Sequence, residues 1–236
     1  MQALKLKPGS EGFSLLELII AMAITLVVMT MASTLIASAF RIRSRENQKS
    51  DALADVQRGL NIMSREIANA GFNLSTNGIV AAESDATSIR IRSNLNKFDT
   101  NFSLNARNGI GLGLAGEDAG EDVKYFRNLA AGTEYLARWD EYTGNANKGT
   151  VLANRIDSLK VHYFGQPVTY TAAQEDTDIS SPSSLEVAPD AAKYVVIALS
   201  VTLNAVGTPG SDGFQPERHM LLVSDVTLRN AGLSTY

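Results

Sequence analysis

One charged side chain interrupts the most apolar part of this sequence. Phe13 to Phe40 reads FSLLELIIAMAITLVVMTMASTLIASAF, 28 residues in which Glu17 alone is charged. A carboxylate near the centre of a membrane helix costs roughly 2.5–3.5 kcal/mol on insertion scales, so an acid kept there points to a function. Phe13 lies four residues earlier, on the same helix face. The bland alternative is a carboxylate that snorkels to the membrane edge. A second group of acids, Glu117, Asp118, Glu121 and Asp122, sits in a glycine-bearing loop. Oxygen ligands at that density could hold calcium, but the regular ligand spacing of a known calcium loop is missing, and a solvated acidic turn is the simpler reading. No other metal is expected. Two histidines, His162 and His219, leave little room for a metal centre or a histidine-based triad, and the absence of cysteine excludes thiol catalysis and zinc–thiolate sites. Gly109, Gly111 and Gly113 lack the strand and helix that a dinucleotide fingerprint requires. Trp139 with Tyr135 and Tyr142 could line a binding patch, against the plainer reading of packing. No catalytic constellation emerges, and the expectation is a chain that is not an enzyme.

The elements that must position Glu17 follow from periodicity. As a helix, Phe13–Phe40 is about 42 Å long, more than the roughly 30 Å of a bilayer core. A secretory signal has an apolar stretch of only about 7–15 residues, so this one reads as a retained transmembrane helix. Ala21, Ala23, Ala32, Ser33, Ala37, Ser38 and Ala39 permit close helix–helix approach. Lys5 and Lys7 ahead of the helix favour a cytoplasmic N-terminus, whereas Arg41, Arg43 and Arg45 after it favour the reverse. With Lys49 these arginines could touch lipid phosphates or DNA, or simply snorkel as a stop-transfer flank, the blander reading. Beyond them Leu53, Val56, Leu60, Met63, Ile67 and Ala70 recur at spacings of three and four, one apolar stripe of a continuing helix, and Gly71 supplies a C-cap. The helix is thus expected over Phe13–Ala70, with Arg58, Arg65 and Glu66 mainly off the stripe.

After Phe72 the period changes. Thr87–Arg92 alternates as a half-buried strand does, and Asp122–Arg127, Glu134–Arg138, Ser158–Phe164, Tyr194–Leu203 and His219–Arg229 are further strand candidates. Asn108–Gly120, Gly144–Gly149 and Asp176–Pro189 read as loops. The expected fold class is α+β: one long N-terminal helix, half transmembrane and half amphipathic, packed on an antiparallel β-sheet head. With 236 residues and a net charge of −4, the chain is large enough for one such head plus an appendage, and shows no basic footprint for nucleic acid.

Gly12-Phe13-Ser14-Leu15-Leu16-Glu17, joined to that apolar helix, resembles the prepilin cleavage motif of type IV pilins and type II secretion pseudopilins. The resemblance implies that a prepilin peptidase/methyltransferase cuts after Gly12 on the cytoplasmic side and methylates the new Phe13 amine. It implies further that Glu17 meets the Phe13 amine of a neighbouring subunit in a filament. It divides the chain into a leader, 1–12; a transmembrane and filament-core helix, 13–40; an amphipathic continuation, 41–71; and a β-rich head, 72–236. Partners implied are other pilin subunits, an inner-membrane pilus assembly platform and the lipid bilayer, with the N-terminus cytoplasmic, the head periplasmic or extracellular and a surface filament after assembly. In the head, Arg65–Phe72 and Val223–Asn230 resemble segments of PilW-like minor pilins, with Ala68 where those carry arginine. Val151–Phe164 is similar to a strand-bearing region shared with J-type pseudopilins. The resemblance therefore leads to a minor pilin that joins or primes a type IV pilus for assembly, adhesion, twitching motility or DNA uptake. A J-type pseudopilin of a type II secretion system and a single-pass membrane-anchored binding protein are the alternatives.

Overall fold

The computed structural model describes residues 13–72, 74, 76–94, 120–130, 133–141, 148–154, 156–173, 176–211 and 213–231. They form two compact units, Met1–Arg45 with Val206–Gln215, and Glu46–Ala205 with Pro216–Tyr236. Helix α1 runs Leu15–Ala68, two residues inside the expected span at each end. Ser14 remains outside the helix as its cap. Asn69 and Ala70 turn tightly, their N–H groups donating to the carbonyls of Glu66 and Ile67 at 3.1 and 3.0 Å.

Two antiparallel sheets follow where one was expected. Strands β1 (Ser88–Arg92), β2 (Asp122–Ala130), β3 (Thr133–Asp140) and β4 (Gly149–Asn154) form the first in that order. Strands β5 (Ile156–Phe164), β6 (Tyr194–Leu203) and β7 (Arg218–Thr227) form the second. The region Val151–Phe164 is therefore divided between sheets, its first residues ending β4 and the rest making β5. Alternation places Ile89 and Ile91 inward, and sends Arg90 and Arg92 to the Asp122 carboxylate, Nε to oxygen at 2.7 and 2.8 Å.

The amphipathic stripe of α1 docks on these sheets. Val56, Leu60, Met63, Ile67 and Ala70 join Ile89, Val123, Tyr125, Leu136, Ile197 and Leu199 in one buried cluster. Gly59, within the same face, brings the helix close to the first sheet: a Cβ there would stand 3.0 Å from the Leu136 Cδ2. Off the stripe, Glu66 latches helix to sheet by accepting from the Tyr125 hydroxyl and from Arg138 Nε at 3.1 Å. Burial in the core and the negative charge of Glu66 push the Tyr125 pKa well up. The helix end is tied down from the far end of the chain. The Arg229 N–H donates to the Ala68 carbonyl at 3.2 Å and the Asn230 amide to the Ala70 carbonyl at 3.1 Å, satisfying carbonyls that the helix leaves open. The two head segments singled out in the sequence, Arg65–Phe72 and Val223–Asn230, thus meet in space. Gly71 (φ 76°) and Gly78 (φ 78°) close the same corner, where a Cβ on Gly78 would lie 2.0 Å from the Gly71 nitrogen; only glycine fits there.

Strand β6 is buried on both faces apart from Thr202, whose position is intermediate. Val195, Ile197 and Leu199 enter the main cluster, while Tyr194, Val196 and Ala198 meet Phe164 and Ile179 in a second. Residues 176–189, read from the sequence as a surface loop, help cover this outer face: Ile179 is buried and Phe164 bridges to Glu186. His162 pins that cover, with Nε2 2.8 Å from Asp178 and Nδ1 2.7 Å from Glu186. Burial works against a charged ring, but the hydrogen bonds and charges of Glu186 and Asp178 together outweigh it and hold the His162 pKa above its ordinary value. Because folding raises this pKa, the stabilisation is fully present below about pH 6.5 and is lost as pH rises through the folded value. Thermal unfolding of the full chain in detergent should show stability falling across that rise. His162→Gln should flatten this part of the profile.

Candidate N-terminal processing and assembly site

The site begins with Ser14, whose hydroxyl oxygen accepts from the Leu16 N–H at 3.3 Å while its carbonyl accepts from the Leu18 N–H at 3.2 Å. That is an N-cap, and it fixes where α1 starts. Glu17 then falls in the first turn, where the helix dipole favours a negative charge. Sequence reasoning passed over Ser14. The signal was available in Ser14-Leu15-Leu16-Glu17, a serine with glutamate three residues on before an apolar run. Phe13 is 86% exposed immediately ahead of the cap. Gly12 lies outside the described residues.

From this end the helix presents apolar side chains on every side. Large hydrophobic residues from Leu15 to Ile42 are exposed, and the mean hydropathy of the most apolar stretch is 2.4 with none of it buried. A helix apolar all round needs a bilayer or other helices as its surroundings. Its hydroxyls are compatible with that setting. Thr25, Thr30 and Ser33 donate to the carbonyls of Ala21, Leu26 and Met29 at 2.7, 2.7 and 2.8 Å, so none seeks water. The small residues Ala21, Ala23, Ala32, Ser33, Ala37 and Ala39 are exposed, and Ser38 is half-buried.

The apolar surface ends at the arginines, which the structure treats differently from one another. Arg41 Nη1 donates to the Ser211 hydroxyl at 2.7 Å, and the aliphatic stem of Arg41 passes Gly207, where a Cβ would stand 3.2 Å from the Arg41 Cδ. On the same segment Gly213 faces Ser38, with its Cβ position 2.6 Å from the Ser38 hydroxyl. The bridge Val206–Gln215 closes this segment into a loop lying on α1 at Ser38 and Arg41. Arg45 is 7% exposed, so the expected row of snorkelling arginines reduces at its exposed positions to Arg43 and Lys49.

The remaining candidates do not join this site. Glu117 and Asp118 lie outside the described residues, Glu121 is buried, and the Asp122 carboxylate is occupied by Arg90 and Arg92. Among the described residues no group of three or more histidine, cysteine or acidic side chains is placed to hold a metal. Tyr142 also lies outside the described residues. Tyr135 accepts from Asn128 at 2.9 Å, and Trp139, opposite Gly149 across the β3–β4 ladder, is 38% exposed. His219 lies 3.0 Å from the Thr202 hydroxyl, which in turn donates to Asp157 at 2.6 Å; it is a partly exposed member of a polar cluster.

Residues 7–33 match the family model described as the prokaryotic N-terminal methylation motif. No curated protein matches the chain. A type IV-like pilin from Thermus thermophilus is similar in structure, at 11% identity and a TM-score of 0.37, over 76% of this chain and 97% of that one. That likeness is distant, and the fold assignment rests on the elements described above. The chain carries this methylation motif on a long apolar helix that continues into an α+β arrangement of antiparallel sheets.

Ser14→Ala removes the cap that orders this end, at a cost of about 1 kcal/mol. Hydrogen exchange of the Leu16 amide in detergent should quicken by about fivefold, while amides of β6 keep their protection.

Proposed function

We propose that this chain is a minor type IV pilin, cut after Gly12 by a prepilin peptidase that also methylates the Phe13 amine, and that it works as a structural subunit without catalysis of its own. One observation carries the reading: the methylation motif at residues 7–33 leads directly into a helix whose apolar surface is uncovered on all sides and holds a single carboxylate at its first turn. A carboxylate and a terminal amine from a neighbouring pilin subunit, each costly alone in hydrocarbon, offset one another when paired. Such a contact repeats from subunit to subunit without closing, which generates a filament. Before assembly the same helix anchors the chain as a single pass in the inner membrane, N-terminus in the cytoplasm and head outside, and the assembly platform is its route out.

The short matches of Arg65–Phe72 and Val223–Asn230 favour the PilW-like minor pilins, and the two segments meet at the helix end. Val151–Phe164 keeps the J-type pseudopilin as the second reading. The N-terminal chemistry is common to both.

Gly12→Ala should leave the precursor uncut, read as the intact mass of the chain from membranes. Glu17→Ala should be cut normally, yet fall by roughly tenfold or more in sheared filaments. Unchanged incorporation of Glu17→Ala would overturn the charge pairing, and a mature chain that still begins at Met1 would overturn the pilin reading.

A further inference from the structure

The outer face of the first sheet carries aromatic side chains on neighbouring strands. Strands β1, β2 and β3 send Ile89, Ile91, Val123, Tyr125 and Leu136 into the core beneath α1, so alternation turns the residues between them to the opposite face. On β3 these are Tyr135, Ala137 and Trp139, and Ala137 lies between Phe126 of β2 and Val151 of β4. Trp139 is 38% and Val151 45% exposed, Phe126 and Tyr135 are half-buried, and Ala137 in their midst is covered. The indole leans toward β4, its Cε3 lying 3.4 Å from where a Cβ on Gly149 would stand. Tyr135 and Trp139 are about 13 Å apart along one strand, and Phe126 lies midway between them on the next. Polar groups border the rings. Asn128 Nδ2 donates to the Tyr135 hydroxyl at 2.9 Å, leaving the Tyr135 proton and the Asn128 side-chain carbonyl without a partner among the described residues. The charges on this face cancel within it, Arg90 and Arg92 holding Asp122 while Arg90 and Lys124 hold Glu83.

We propose that this face binds a neutral oligosaccharide, with Trp139, Phe126 and Tyr135 stacking on sugar rings while Asn128 and the Tyr135 hydroxyl bond to sugar hydroxyls. The inference goes beyond the pilin reading and stands on the second unit alone. Aromatic faces are electron-rich, and a pyranose with equatorial hydroxyls turns a flat array of weakly positive C–H groups toward them. A few polar groups beside such an apolar surface then set the orientation. Charge favours a neutral occupant. Nucleic acid is held through free lysine and arginine, whereas Arg90, Arg92 and Lys124 are each held by an acid of the same face. Area argues against a protein. The exposed parts of the four apolar side chains come to on the order of 300 Å², well short of the roughly 800 Å² per partner of a standard interface. The distance from Tyr135 to Trp139 exceeds one sugar ring, so the occupant is a chain of several.

Trp139 is the only tryptophan of the chain, so tryptophan fluorescence reports on this face alone. The full chain, held in a detergent without a sugar headgroup, is titrated with cellohexaose and with chitohexaose. Binding of either should protect Trp139 from acrylamide quenching by about twofold, and glucose should require at least a roughly tenfold higher concentration. Phe126→Ala and Tyr135→Ala should each weaken the hexaose by roughly tenfold, and Tyr135→Phe, which keeps the ring and removes the hydroxyl, by about threefold. Trp139→Ala, followed by calorimetry, should abolish binding. The altered side chains lie outside the core shared with α1, so the unfolding temperature should stay near that of the unaltered chain. Should Phe126→Ala fail to fold, Trp139→Ala at its more exposed position decides, because an unchanged heat of binding would put the sugar elsewhere and sink the proposal. No protection by either hexaose up to about 10 mM would overturn it. So would protection that survives in Phe126→Ala and Tyr135→Ala, or protection by an oligothymidylate in place of the sugars. Quenching that falls with protein concentration alone would show that another chain covers the face, and would overturn the proposal as well.

Discussion

Leu15–Ala68 is one helix with two kinds of surface, and the change between them near Ser38–Arg45 sets what every other element has to cover. N-terminal to that change the side chains are apolar on all sides, so the backbone and the few hydroxyls satisfy one another inside the helix. C-terminal to it only one stripe is apolar, and water can meet the rest. The two sheets exist on one side of that stripe because Val56, Leu60, Met63 and Ile67 would otherwise remain exposed. The glycine-flanked loop at Val206–Gln215 meets the polar residues at the changeover, where neither lipid nor an apolar core would suit Ser38 and Arg41.

The join of helix to head combines three kinds of interaction. Apolar burial supplies most of the driving force, at about 25 cal/mol per Å² of surface removed from water. The Glu66–Tyr125–Arg138 cluster adds register, since a slip of one helical position would leave a half-buried carboxylate without its donors. The Arg229 and Asn230 contacts then tie the chain's last strand to the helix end, so the N-terminal half of the head cannot loosen without disturbing β7.

How much of this was legible in the sequence differs by element. The apolar run, its single acid and the glycine–phenylalanine junction were readable because membrane insertion depends on composition and local spacing alone. The stripe from Val56 to Ala70 and the alternation of Thr87–Arg92 were readable for the same reason, each being a period within a few residues. Ser14 was legible but missed, since its pairing with Glu17 is a local signal of helix initiation. The division of Val151–Phe164 between sheets was not legible. Its residues suit a strand throughout, and only the partners available to each half decide the sheet.

Residues 176–189 show the limit most plainly. Their serines, acids and prolines describe solvent-facing chain, and most of that chain is exposed, yet Ile179 and the His162 clasp make it the cover for a sheet face. Whether a segment covers anything depends on what lies beneath it, which is a property of strand order. By itself, then, the sequence determined the long apolar helix, the methylation motif at its start and the amphipathic stripe, because hydropathy and local hydrogen bonding act over one or two turns. The tertiary structure alone decided which distant residues meet: Asn230 at the helix end and Arg138 at Glu66. Those pairings depend on how two sheets and a helix pack, and no local pattern encodes that.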